Sequence, residues 1–290
     1  MNQERLRRWE SFAGLLRCPV CAQPLTVVDD GLGCPGGHRF DVARQGYVSL
    51  LPGRGSKHRS DTAPMVAARR RVLDSALFAP LRSAVASAAA DGADPGSVIV
   101  DAGCGTGQYL SSAVDALPQS RGLGVDLSVY CARAAARCHD RAAAVVADLW
   151  AGLPVADGVA QTVLSVFAPR NARAVRRILA PGGHWIVVTP HTDHLRLLRE
   201  PLGMLDVADG KLGRLRAELT EHAFTEVSST PVRSAATLGA AELADLAGMG
   251  PAGFHRTDAE LAAAARTLAG RHSGRVPAEL AVTVTVARRR

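Results

Sequence analysis

The sequence predicts an α/β fold: a mostly parallel sheet covered by helices, with an antiparallel strand at its C-terminal end and a small module ahead of it. Three observations carry this. Between residues 97 and 190 short apolar runs alternate with helical stretches, the pattern of strands buried on both faces. The chain closes on LAVTVTVARRR, a β-branched run expected at or beside the sheet edge. Residues 15–51 instead alternate brief β-prone runs with glycine and proline turns, too short a segment for a core of its own without a staple.

Taken in order, residues 1–13 read as a basic helical or frayed tail. LTVV, HRFDV and GYVSLL are the β-prone runs of the small module. PGRGSKHRSDTAP, residues 52–64, reads as an exposed basic linker. The pattern turns helical from Met65 to Asp91, with a break near Pro80. Strands are expected at Ser97–Asp101, Gly122–Asp126, Ala144–Ala147, Thr162–Val166 and His184–Thr189, and helices at Val129–His139 and Ala172–Leu179. Residues 191–275 look more helical and irregular. The expected division is a module over 1–52, a linker over 53–64 and the α/β domain over 65–290.

The 290 residues suffice for one large domain and a small appendage. No apolar run approaches twenty residues, so no membrane helix is expected, and MNQERLRRWE lacks the apolar heart of a signal peptide. A cytoplasmic, reducing location is the expectation, and the six cysteines are then not read as disulfides. Net charge is +7, and residues 1–60, with nine basic against five acidic residues, hold four of those seven charges. Such localisation fits a polyanion such as nucleic acid, or an arginine-rich composition with no such partner.

VIVDAGCGTGQYL, Val98 to Leu110, runs a strand into a turn with Gly103, Gly105 and Gly107. Glycine there permits unusual φ and lets a ligand lie against main chain. A P-loop would need Gly-Lys-Ser/Thr, and none follows; a dinucleotide fold wants a third glycine where Gln108 stands. Asp101, two residues before the first glycine, suits a cationic ligand instead. S-adenosylmethionine carries an ammonium and a sulfonium that a carboxylate can hold. Asp126 ends the next strand, where it can accept both ribose hydroxyls, and Asp148 ends the third, near adenine. Each Asp alone could merely cap the following helix; three together with this turn point to a methyl-donor site that also includes Thr106.

Cys18-x2-Cys21 and Cys34-x3-His38 lie twelve residues apart. Two such turns deliver the tetrahedron that Zn2+ wants, with no open position, so the metal would organise rather than react. A redox C-x-x-C would sit on a βα unit and needs no Cys-His pair. Cys104, Cys131 and Cys138 are expected to be buried filler.

Together CPVC…CPGGH, FDVARQGYVSLL, MVAARRRVLDS, VDAGCGTG, VFAPRN, RRILAPGG and VVTPHTDHL resemble, in order and spacing over nearly the whole chain, the 23S rRNA guanine-N1 methyltransferases of the RlmA type, and within them the actinobacterial TlrB-like macrolide-resistance enzymes. The resemblance implies a Rossmann-like class I methyltransferase whose zinc-ribbon-like module, residues 1–52, recognises RNA and helps grip an rRNA hairpin, acting on guanine 748 or a neighbouring guanine of 23S rRNA. It also implies a homodimer with a basic cleft between subunits, and places Phe78 (where tyrosine is more usual) and His194 near the cofactor. A small-molecule methyltransferase or a non-catalytic zinc-ribbon RNA-binding protein are the alternatives; neither accounts for both motifs.

Guanine N1 bears a proton near neutral pH, so transfer there needs alignment and a route for that proton. VFAPRN follows the fourth strand. Phe167 is a candidate to stack on guanine, Asn171 or the Ala168 carbonyl to read its edge and Arg170 to meet O6 or phosphate; alternatively Pro169 and Asn171 only shape a turn and cap a helix. Asp148, His191 and His194 are the candidates for a base, and Arg54, Lys57, Arg59 and Arg69–Arg71 for phosphate contacts.

Overall fold

The computed structural model describes residues 3–53, 55–91 and 93–290. Helix α1 (Gln3–Glu10) is followed by a 3-10 turn and by three short antiparallel strands, β1 (Thr26–Val28), β2 (Gly31–Gly33) and β3 (Arg39–Asp41). Strand β4 (Val48–Ser49) leads to helices α2 (Ala63–Asp74) and α3 (Ala79–Ala90), separated where the sequence places a break, with Pro80 in the first turn of α3. The alternating part runs β5 (Val98–Ala102), α4 (Gln108–Ala116), β6 (Arg121–Asp126), α5 (Val129–Ala135), β7 (Ala142–Val146), β8 (Ala160–Val166), α6 (Ala172–Ile178) and β9 (Leu179–Pro190). It closes with α7 (Arg196–Leu202), α8 (Lys211–Glu221), β10 (Phe224–Leu238), α9 (Ala240–Gly248), α10 (Asp258–Gly270) and β11 (Val276–Arg289).

The large sheet has the order β10-β11-β9-β8-β5-β6-β7-β4. Every pair from β9 to β4 is parallel, and β11 returns antiparallel to β9. Strand β10 differs from the sequence expectation: residues 224–238 form a fifteen-residue strand beside β11. Its polar, Ser/Thr-rich pattern reflects an edge strand with little buried surface. Pro231 is tolerated there because an edge leaves alternate N–H groups unpaired. Helix α5 stops at Ala135 rather than His139; Cys138 turns back so that its carbonyl accepts from Ser111 Oγ.

The N-terminal tail is docked rather than frayed. Trp9 and Phe12 are fully buried, the Trp9 indole donates to Gly46 O at 3.1 Å, and Arg8 donates to Ala136 O at 2.7 Å. Strand β4 pairs with β7 and so supplies the far edge of the large sheet. Leu16, Leu25, Leu32 and Val48 share one core with Val100, Leu123, Val145 and Trp185. On the other face of the sheet Ile99, Leu164 and Ile186 pack against α2, α3, α4, α7, α9 and α10. Pleating explains the split: Val98 and Val100 enter one core and Ile99 the other. Because the small module has no core apart from this shared one, Trp9→Ala should destabilise the whole chain by about 3–5 kcal/mol. Denaturant unfolding followed by far-UV circular dichroism should show a single, earlier transition; early loss of the module with an unmoved main transition would contradict the shared core.

Candidate active site and metal centre

The carboxyl ends of β5, β6, β7 and β8 converge on a cavity of about 420 Å³, within the range of small-ligand sites. Its shape starts with the turn after β5. Gly103, Gly105 and Gly107 all have positive φ. A Cβ on Gly103 would meet the Ala168 Cβ at 2.4 Å, and one on Gly107 the Cys138 Cβ at 2.8 Å. Side chains are thus excluded at these two by backbone conformation and by the protein's own packing. Gly103 and Cys104 donate their N–H groups to Val125 O at 2.8 and 3.1 Å, which hangs the turn on β6.

Asp126 completes that attachment. Its Oδ2 accepts the Gly105 N–H at 2.9 Å and its Oδ1 the Ser128 N–H at 2.8 Å. Burial still pushes this carboxyl up to about 6, against those two donors. Each oxygen keeps a further lone pair, and Asp126 lines the cavity with Gly103, Gly105, Asp148, Phe78 and His194. Asp101, Thr106 and Gly107 do not line it. Asp101 is buried and its Oδ2 has no hydrogen-bond partner among the described residues; burial, then the charge of Asp126, pushes its carboxyl up to about 8. Tyr109, which lines the cavity, buries its hydroxyl, and that hydroxyl is likewise unpartnered. Thr106 donates to Gln108 Oε1.

These features fit S-adenosylmethionine. Buried polar atoms without partners cost stability unless a ligand meets them, and an acid with an unpaired hydroxyl suits a zwitterionic amino-acid end. The apolar lining of Leu73, Phe78, Val166, Leu246 and Met249 suits the uncharged remainder.

One wall of the cavity is the segment read from sequence as an exposed linker. His58, Arg59, Ser60 and Asp61 line it. Ser56 Oγ donates to Asp148 Oδ2 at 2.6 Å, and the His58 ring lies 5.6 Å from that of Trp150. Asp61 pairs with the largely buried Arg69, whose guanidinium also donates to Met249 O at 2.7 Å; Ser128 Oγ donates to Asp61 O at 2.6 Å. Arg69 is therefore tied inside the protein, Arg71 pairs with Asp245, and Arg59 stands over the Phe254 ring. Arg54 lies outside the described residues. The sequence pattern carried no signal for these contacts, since an arginine run on a helix looks alike whether solvated or buried.

At the rim Phe167 is 44 % exposed and holds φ of +52°, a conformation strained for a bulky residue. Its ring lies 5.7 Å from that of His194. The Ala281 N–H donates to His194 Nδ1 at 3.3 Å, and burial, then Arg199, pulls this imidazole down to about 4. It is neutral at physiological pH with its proton on Nε2, a donor rather than a base. Asn171 accepts the Ala174 N–H and donates to Leu149 O, capping α6, and Arg170 pairs with Glu218 at 2.8 Å. Neither lines the cavity. His191 is engaged by Thr283 Oγ1 at 2.6 Å.

In the small module the donor atoms of Cys18, Cys21, Cys34 and His38 lie within 4.8 Å of one another. Cys21 Sγ and Cys34 Sγ are 3.5 Å apart, and Cys34 Sγ and His38 Nδ1 are 3.4 Å apart. Three thiols and an imidazole gathered so closely fit one tetrahedral zinc with ~2.3 Å Zn–S bonds. All four positions are then protein ligands, so the metal organises structure. Burial pushes the thiols of Cys104, Cys131 and Cys138 up, leaving them unreactive.

The fold and cavity define an S-adenosylmethionine-dependent methyltransferase of Rossmann-like architecture carrying a zinc ribbon. Residues 99–183 match the family described as "Methyltransferase domain" and residues 16–59 that described as "RlmA, N-terminal". A putative methyltransferase from Bacillus halodurans shares the fold with a TM-score of 0.51 at 14 % identity, over 70 % of this chain and 97 % of that one. The chain is 46 % identical to the 23S rRNA (guanine(748)-N(1))-methyltransferase of Streptomyces fradiae, over 94 % of this chain and 96 % of the relative. It is 43 % identical to a putative 23S rRNA (guanine-N(1)-)-methyltransferase of Micromonospora griseorubida, over 86 % and 90 % respectively. The chain belongs to the 23S rRNA (guanine-N1-)-methyltransferase family.

The buried acid gives a pH test. Unfolded, Asp101 titrates near the ordinary carboxylate value of about 3.9; folded, it keeps its proton to about 8. The fold binds the extra proton between those limits, so stability present below about pH 4 is lost as pH rises towards 8. Ligand-free wild type should therefore lose roughly 3–4 kcal/mol relative to Asp101→Asn between pH 5 and pH 8, read from denaturation midpoints. Parallel pH curves would contradict the assignment.

Proposed function

We propose that this protein methylates N1 of guanine 748 in a 23S rRNA hairpin, protecting its host from tylosin-type macrolides, and that it works in the cytoplasm as a homodimer. The observation that carries this is the 46 % identity, over nearly the whole of both chains, to the Streptomyces fradiae enzyme. Among the described residues no helix is long and apolar enough to cross a membrane.

In this reading Gly103, Gly105 and Asp126 hold the ribose side of S-adenosylmethionine, Asp148 and Phe78 flank its adenine, and Tyr109, with Asp101 behind the turn, meets its amino-acid end. When bound, the cofactor supplies an electrophilic sulfonium methyl. The protein's own task is to deliver guanine N1 in line with it. Phe167, exposed at the rim and held in its strained conformation, offers a face for the extruded base, backed by the His194 ring. His194 Nε2–H can donate to O6, where negative charge gathers as N1 loses its proton; the Ala281 N–H on Nδ1 and the low pKa make the imidazole a donor and a weak base there. Thr106 and Gly107 act by shaping the turn. Asn171 and Arg170 act at one remove, fixing the loop that carries Phe167.

The test is transfer of tritiated methyl from S-adenosylmethionine to unmodified 23S rRNA, followed by primer extension. A new stop at guanine 748 is expected, with Phe167→Ala lowering kcat about tenfold or more while cofactor affinity holds. Label at another nucleotide, or none, would contradict the proposal.

A further inference from the structure

A second concavity, about 1610 Å³, lies between the zinc knuckle and α6. Arg17, Cys18 and Pro19 form one wall; Arg173, Arg176 and Arg177 of α6 form the other. Asp148 and Trp150 line both this cleft and the cofactor cavity, so the two lie side by side at that wall. The cleft also holds Arg289, against the carboxylates of Asp148, Asp157 and Glu221.

What marks this surface is that arginines without partners among the described residues converge on one cleft; others without partners, such as Arg70, Arg133 and Arg266, do not line it. Elsewhere Arg39, Arg69, Arg71, Arg170, Arg216 and Arg233 are taken up by carboxylates. Within the cleft Arg177 pairs with Asp157 and donates to Leu153 O, and Arg289 donates to Leu179 O. Arg17, Arg173 and Arg176, by contrast, make no ion pair and no side-chain hydrogen bond among the described residues. The Nε of Arg176 is buried as well as unpartnered. A buried guanidinium N–H without an acceptor is costly, and convergent unpaired guanidiniums match phosphate oxygens in geometry and charge.

We propose that this cleft is the track for the RNA backbone: Arg17 on the zinc knuckle and Arg173 and Arg176 on α6 grip phosphates on either side of the strand, which runs on to the cavity mouth at Trp150. The track lies within one chain and does not depend on the linker arginines. It explains why the zinc ribbon is fused to the sheet edge: the knuckle must stand at a fixed distance from α6 for both walls to reach one backbone. The inference rests on the proposed function, since it concerns how that substrate is held.

The test is fluorescence anisotropy with a 23S rRNA hairpin oligonucleotide containing guanine 748, titrated at several salt concentrations. Arg17→Ala and Arg173→Ala should each weaken binding several-fold and reduce the salt slope by about 0.7–0.9, one phosphate contact apiece. Arg17→Lys and Arg173→Lys should restore most of the slope, and Arg216→Ala should match wild type. S-adenosylmethionine affinity by calorimetry should be the same throughout, which excludes misfolding. If wild type binds the hairpin but Arg17→Ala and Arg173→Ala match it in affinity and slope, the track is wrong and the enzyme reading stands; a cleft built for an acidic peptide would give that result. If wild type itself does not bind the hairpin, both fall.

Discussion

The turn from Gly103 to Gly107 can hold its course only while Asp126 and Val125 receive its N–H groups. Everything at the site follows from that attachment. It brings the ends of β5 and β6 to one edge, sets the N-terminus of α4 against the cavity, and leaves the Asp126 oxygens half-used and half-available. The same turn hides Asp101 and Tyr109 from water while giving them no partner inside the protein. The molecule thus carries unmet polar groups at and just behind the cavity wall, a common cost of preorganised sites.

A second constraint is the fusion of the zinc ribbon to the sheet. Strand β4, the buried Trp9 and the shared core make the ribbon the outer flank of the catalytic domain rather than a tethered accessory. The chain between them is not idle either: residues 56–61 cross from the ribbon to α2 and become a wall of the cofactor cavity through Ser56, His58 and Asp61. A change in the ribbon therefore has a direct mechanical route to the pocket, through a short segment anchored at both ends.

Much of this was legible in the sequence. The five central strands appear where their apolar runs stand, because a strand buried on both faces must be continuously apolar. The zinc ligands follow from donor type and spacing, which the metal dictates. Less legible were features set by tertiary context. Strand β10 is polar because its side chains stand largely exposed on the sheet's outer faces. The linker looks solvated because its anchoring residues, serine, histidine and aspartate, are also surface residues. Tyr109 lines the cavity, but an aromatic on a helix looks like core in either case, and Phe78, in the turn before α3, was placed there only by the resemblance. Asn171 and Arg170 stand in a suggestive motif, yet the structure engages them in a cap and an ion pair. The glycines were read as making room for a ligand; two of the three make room for Ala168 and Cys138 instead.

The most direct measurement of the central claim is titration calorimetry of S-adenosylhomocysteine, the demethylated form of the cofactor, into the purified zinc-loaded protein. One equivalent per chain should bind, and Asp126→Ala should abolish or weaken that binding by at least tenfold while the fold, judged by its unfolding transition, persists. No binding by the wild type, or undiminished binding by a folded Asp126→Ala protein, would show that the cavity at the carboxyl edge of the sheet is not the methyl-donor site.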